Sequence, residues 1–238
     1  MKNVKTSFFP PLHKEGVKFV LISGIAALFF ICLGNPIISL IALCFTGFCY
    51  FFFRDPYRTI PVSKDYIISP ADGIITFIGY GTPPNELVYG EKEEMMKVSI
   101  FLSPFDVHVN RAPMEGEIIE LKYNPGKFIN ASLDKSSDQN ERQSMVLKSE
   151  DNVYIVCVQI AGFIARRIVC DVKTGDKLSI GQKYGIIRFG SRADVYIPKH
   201  LGILVGVGQK VVGGETIISD IKNNISREFV YENPMQNL

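Results

Sequence analysis

The chain has 238 residues, of which 21% are charged, and a formal net charge of +2, too even a balance for a nucleic-acid binder, whose basic residues crowd into a patch or stripe. Its five cysteines form no Cys-x-x-Cys pair, which argues against a zinc site or a disulfide framework and favours a reducing compartment. The length admits one large domain or a modest domain with an appendage, and the charge distribution favours the second, because Phe19 to Phe53 contains no Asp, Glu, Lys or Arg.

That uncharged run is 35 residues long. As a single helix it would measure ~52 Å, against a bilayer hydrocarbon core of ~30 Å. Gly34-Asn35-Pro36 supplies the break, since proline lacks a backbone donor and turns the residue before it away from helix. Two apolar helices are expected, over about 19–33 and 37–53, forming a hairpin that either spans the membrane or lies shallow in it. Lys2, Lys5, Lys14 and Lys18 precede the run and Arg54 and Arg58 follow it. The positive-inside rule therefore puts both ends on the cytoplasmic side of the cell (inner) membrane. A secretory signal would have an apolar region of ~7–15 residues followed by a small-residue cleavage site, and Phe51-Phe52-Phe53-Arg54-Asp55 is no such site.

Beyond Pro61 the texture changes to short runs rich in β-branched and aromatic residues: Ile74–Ile78, Val98–Leu102, Val153–Val158 and Ile203–Val205. Sixteen of the 20 glycines lie after residue 60, many beside these runs, as the corners of a sandwich or barrel require. The expectation is a mainly β fold, a compact hybrid β-sandwich or barrel over 61–238, preceded by a helical membrane anchor over 1–60. Gly181-Gln182-Lys183 and Gly208-Gln209-Lys210 open two similar turn-strand units of the kind found in lipoyl- or biotinyl-type hybrid folds. The polar stretch Asn130–Gln143 reads as a long loop.

Only three histidines are present, His13, His108 and His200, so the choice of a general base is narrow. His108 stands in Ser103-Pro104-Phe105-Asp106-Val107-His108-Val109-Asn110-Arg111-Ala112-Pro113, where polar groups alternate along an apparent strand. A lone histidine in a β protein is more often structural than catalytic, and Ser69-Pro70-Ala71-Asp72-Gly73 by itself is a tight turn.

Gly185-Ile186-Ile187-Arg188-Phe189-Gly190-Ser191-Arg192-Ala193-Asp194-Val195-Tyr196-Ile197-Pro198 adds more. A Gly-Ser pair between two β-like segments, in this whole string, resembles the self-cleavage motif of the phosphatidylserine decarboxylases. The resemblance extends through Ser69–Gly73, Ser103–Pro113, Pro125–Ala131, Asn140-Glu141-Arg142 and Ala161–Cys170. It covers nearly everything after residue 54, in the manner of the short bacterial form of the family.

The resemblance implies a proenzyme that cuts itself between Gly190 and Ser191 into chains 1–190 and 191–238, which stay associated non-covalently. Ser191 would attack the Gly190 carbonyl and end as a pyruvoyl cofactor, with no metal required. A pyruvoyl group is an electron sink for removing carbon dioxide from the serine headgroup of phosphatidylserine in the membrane, which yields phosphatidylethanolamine. His108 is then the expected general acid/base and Asp72 its candidate partner in orientation or processing. Arg111, Arg166 and Arg167 are candidates for the lipid phosphate or carboxylate. Longer members of the family carry a second histidine where Arg111 stands. A homo-oligomer is admitted, and nucleic acid is not expected as a partner. The alternatives are a membrane-tethered lipoyl-like carrier, which needs a modifiable lysine such as Lys183 or Lys210, and a phosphotransferase-like carrier, which needs a pair of neighbouring histidines.

Overall fold

The computed structural model describes residues 9–88, 93–126, 140–162, 167–188 and 191–229. It opens with two apolar helices, α1 (Lys14–Cys32) and α2 (Pro36–Phe52), packed against each other as a hairpin. The turn between them is built from the expected residues. Gly34 takes φ 68°, the Asn35 side chain caps α2 by accepting the Ile38 amide at 3.2 Å, and Pro36 occupies the first turn, where a missing N–H costs nothing. Inside the helices the few hydroxyls bond to their own backbone, Ser23 to Phe19 O at 2.7 Å and Thr46 to Ala42 O at 2.8 Å. At 19 residues α1 is long and apolar enough to cross a membrane, whereas α2 has 17. Leu21, Ile25, Leu28, Leu40 and Phe45 point outward from the pair, an apolar surface suited to lipid rather than water.

α1 starts five residues earlier than the hydropathy run suggests, because charge is tolerated at the base, where Lys14 and Glu15 belong to its first turn; its end and both ends of α2 come one residue earlier than expected. The base is clipped shut. His13 N donates to Phe53 O at 2.8 Å, Asp55 N donates to Pro11 O at 2.7 Å, and Leu12 bridges Arg54.

The remaining described residues form thirteen strands: β1 (Tyr66–Ile68), β2 (Gly73–Gly81), β3 (Met95–Leu102), β4 (Val109–Arg111), β5 (Gly116–Asn124), β6 (Arg142–Lys148), β7 (Tyr154–Ala161), β8 (Arg167–Cys170), β9 (Lys177–Leu178), β10 (Lys183–Arg188), β11 (Ser191–Ile197), β12 (Lys210–Val211) and β13 (Ile217–Asp220). The fold is thus mainly β, as expected. An eight-stranded antiparallel sheet runs β12-β2-β3-β11-β7-β6-β5-β9 and curls into a half-barrel; a three-stranded sheet β4-β10-β8 and the pair β1-β13 complete it.

β11 lies in the middle of the large sheet and is buried along its whole length. Its alternate residues Ala193, Val195 and Ile197 join the main core with Ile100, Leu102, Met145 and Ile155. Tyr196 packs on the other face with Val146, Val156 and Val158. Each such side chain, fully removed from water, contributes roughly 1.5–3 kcal/mol, so the strand that begins at Ser191 is among the most firmly held. The two turn-strand echoes are present: Gly181 and Gly208 adopt φ 74° and 85°, and β10 and β12 begin two residues after each.

Two local expectations are corrected. Ile203–Val205 is not a strand: Ile203 makes a single bridge to Ser219, and Gly202 lies so close to the Ile225 backbone that a Cβ would sit 2.3 Å from its carbonyl. The segment is pinned between two chain passes and has no room for a ladder. The stretch expected as a loop up to Gln143 ends earlier, since Arg142 and Gln143 already pair with Ile160 and Gln159 in β6 and β7; residues 127–139 lie outside the described residues.

Candidate active site

Ser191 opens β11 between two partners in register, Leu102 at the end of β3 and Ala161 at the end of β7. It is fully buried, and its hydroxyl has no hydrogen-bond partner among the described residues. An unsatisfied buried hydroxyl costs about 1–3 kcal/mol, so its retention points to chemistry rather than packing. Gly190 lies outside the described residues, as does Arg166.

Topology brings His108 to the same sheet end by two routes. Leu102 leads into a turn in which Asp106 accepts the Ser103 amide at 2.8 Å and donates its own to Ser103 O at 2.9 Å, and His108 follows two residues later. Its carbonyl then accepts the Ile187 amide at 3.3 Å, which ties it to β10, the strand leading into the Gly190-Ser191 junction. Ile187 packs in a small cluster with Ala161, the register partner of Ser191.

The imidazole is completely buried. Nδ1 lies 3.0 Å from the Asp106 carbonyl oxygen, which only accepts, so Nδ1 carries the proton and Nε2 the lone pair. Nε2 has no partner among the described residues. Burial pushes the pKa down to about 4; the bond to the Asp106 carbonyl and the Asp106 charge oppose this, and Arg54 adds to it. At neutral pH His108 is therefore an uncharged base with a fixed tautomer. Its ring lies against Phe52 at the end of α2, centroids 4.1 Å apart and planes 32° apart.

Asp72 reaches the same end through β2. Ile74 pairs with Phe101, and Gly73 approaches so closely that a Cβ there would sit 2.2 Å from Phe101 O, which is why this position is glycine. The Asp72 carboxylate accepts from Arg58 at 2.7 and 2.9 Å and from the Gly213 amide at 2.8 Å. Among the described residues its bonds go to Arg58 and Gly213, while His108 bonds to Asp106.

The arginines divide. Arg111 is buried, donates to Gly181 O at 3.1 Å and pairs with Asp55 at 3.4 Å; Lys183 is the second cation on Asp55, so this lysine is tied down. Burial pulls the Arg111 guanidinium below its ordinary pKa, with Asp55 opposing. Arg167 is exposed at the start of β8, opposite Arg188 in β10.

Sequence reasoning missed Phe52, Arg58, Glu15 and the buried pair in which Gln159 donates to Asn110 Oδ1 at 2.7 Å. Asn110 could have been noticed, since it alternates with His108 in the same segment. No local pattern marks the others, whose partners are distant in the chain.

The phosphatidylserine decarboxylase family model matches residues 45–219. The chain is similar to the phosphatidylserine decarboxylase proenzymes of Rickettsia felis and Rickettsia akari, at 50% identity over 228 residues, which cover 94% of this chain and 96% of each relative. The proenzyme of Rickettsia typhi is 49% identical over the same span.

Proposed function

The chain belongs to the phosphatidylserine decarboxylase family, and from that premise we propose that it cuts itself between Gly190 and Ser191 and then decarboxylates phosphatidylserine to phosphatidylethanolamine and carbon dioxide. The observation that carries this reading is Ser191 itself: a buried hydroxyl without a partner among the described residues, at the first position of the central strand. His108 supports it as a neutral base tied to the strand that leads into the junction.

Self-cleavage needs only groups of this chain and water. Neutral His108 takes the Ser191 hydroxyl proton, the oxygen attacks the Gly190 carbonyl, and the peptide nitrogen leaves as an amine, so the amide becomes an ester. Loss of the Ser191 Cα proton expels the Gly190 carboxylate, which ends chain 1–190. Water then hydrolyses the remaining dehydroalanine, releasing ammonia and leaving a pyruvoyl group at the head of chain 191–238.

The site fits that group: a buried position at the head of a central strand, with His108 tied to the strand that leads into it. When present, the pyruvoyl carbonyl supplies the electron sink for decarboxylation. His108 can return a proton to the substrate carbon, its Nε2 being the ring nitrogen left free by Asp106. Asp72, held by Arg58, fixes the adjoining turn, and Arg167 remains the exposed candidate for the lipid phosphate. The apolar hairpin would hold this end of the domain against the bilayer, with both of its ends on the cytoplasmic side under the positive-inside rule.

Intact-mass analysis tests the proposal directly. Two chains, 1–190 and 191–238, with the second beginning in a pyruvoyl group, are expected. A single full-length mass from active protein would overturn it.

A further inference from the structure

The hairpin does more than sit beside the reactive strands. Phe52 and Phe53 at the end of α2 are fully buried in a cluster with Val107 and Val109, which flank His108, and with Ile186 of β10. Phe19 of α1 stacks on Phe53 with centroids 5.0 Å apart. Gly16 lets α1 come so near that a Cβ would lie 2.3 Å from Phe53 Cβ. Glu15, in the first turn of α1, forms an ion pair with Arg188, the last residue of β10. Lys14 beside it binds Asp171 at 2.6 Å. Thus both helices grip the strand that runs into the Gly190-Ser191 junction, and one aromatic ring closes over the only histidine in the site.

We propose that Phe52 is a positioning residue for His108 in self-cleavage, and that Glu15 acts with it by holding Arg188, so that a seated hairpin is a requirement for the cut. The inference rests on the self-cleavage reading given above. Its physical basis is that the imidazole needs one orientation and a water-free surface to present Nε2 to the serine hydroxyl, and the strand leading towards the scissile bond needs a fixed position relative to it. The Asp106 carbonyl fixes one ring nitrogen; the Phe52 face fixes the ring plane and excludes water. The charged groups that act on this ring are Asp106 from its own turn and Arg54 from the segment after α2. A consequence is coupling between membrane insertion and maturation: a chain whose hairpin has not folded would lack the surface that seats its own base.

The test is cell-free synthesis of the full chain into phospholipid vesicles, with the rate of appearance of chain 191–238 followed from pH 4.5 to 8. The parent should cut at nearly the same rate throughout, since His108 stays neutral down to about pH 4. In Phe52→Ala water reaches the ring and the base moves back towards the ordinary value of ~6.5. At full return the neutral fraction at pH 5 falls about 30-fold, while at pH 8 it is almost unchanged. Phe52→Leu, which keeps apolar bulk, should lie between the two and guards against loss of folding in the alanine variant. Glu15→Gln should slow the cut at least threefold, and the exchanged pair Glu15→Arg with Arg188→Glu should restore it. Slowing of both Phe52 variants by the same factor at every pH, or no slowing at all, would overturn the positioning role. Failure of the exchanged pair to restore cutting would overturn the tether. If instead the parent itself yields no 191–238 chain, the self-cleavage reading falls first.

Discussion

Replacing Arg111 by Met separates a structural arginine from one that meets the lipid. The guanidinium and the Asp55 carboxylate are both about nine-tenths buried, 8% and 9% exposed, and Arg111 also satisfies Gly181 O. Stripping one partner from a buried ion pair costs ~3–5 kcal/mol. Here the loss should be smaller. Lys183 stays on Asp55, and the 3.4 Å contact is longer than the ~2.7–2.9 Å of a strong charge-assisted bond. A cost of ~2–3 kcal/mol is expected, and for a chain of this size each kcal/mol lowers Tm by ~2–4 °C. Thermal unfolding of the purified protein in detergent, followed by near-ultraviolet circular dichroism, should therefore show a drop of about 4–12 °C, with KM for a short-chain phosphatidylserine within threefold of the parent. The reasoning would be refuted by an unchanged Tm together with a tenfold rise in KM, which would make Arg111 a lipid contact after all.

Ser191→Ala should accumulate as one uncut chain without decarboxylase activity, seen as a single band and a single mass; two chains would remove Ser191 as the nucleophile. Ser191→Cys should cut more slowly, because a thiol can make the acyl shift but provides a different leaving group for elimination, and a time course of band appearance measures this. His108→Ala should lower self-cleavage, decarboxylation or both by the ~10²–10⁴ usual for an acid/base group; rates within threefold of the parent, by band appearance and carbon dioxide release, would exclude it. Folding lowers the His108 pKa from 6.5 to about 4, so between those values the unfolded chain binds the proton and the folded chain does not. Its contribution to stability is therefore complete above pH 6.5, is lost as the pH falls towards 4, and is constant below. In uncut Ser191→Ala protein, the urea midpoint should fall from pH 7 to pH 4.5 by more than it does when His108→Gln is added; equal falls would refute the buried neutral imidazole.

Much of this protein is local, and local features are readable in the sequence. The charge-free run, its Gly34-Asn35-Pro36 break and the β-branched segments of β2, β3 and β7 follow from rules acting over a few residues, and the Gly190-Ser191 pair stands out through its flanking motif. Proximity across the chain is not local. Glu15 meets Arg188 and Lys14 meets Asp171 across more than 150 residues, Arg58 takes the Asp72 carboxylate that sequence reasoning offered to His108, and Arg111 turns to Asp55. A boundary drawn at residue 60 separates anchor from chemistry by composition, yet Phe52 and the clip at Phe53 and Asp55 lie on the catalytic side by packing. The physical reason is that hydrophobic periodicity says which residues leave water but not which neighbours they meet. Whether Phe52 faces lipid or the His108 ring depends on how the hairpin docks, and that only the tertiary structure decides.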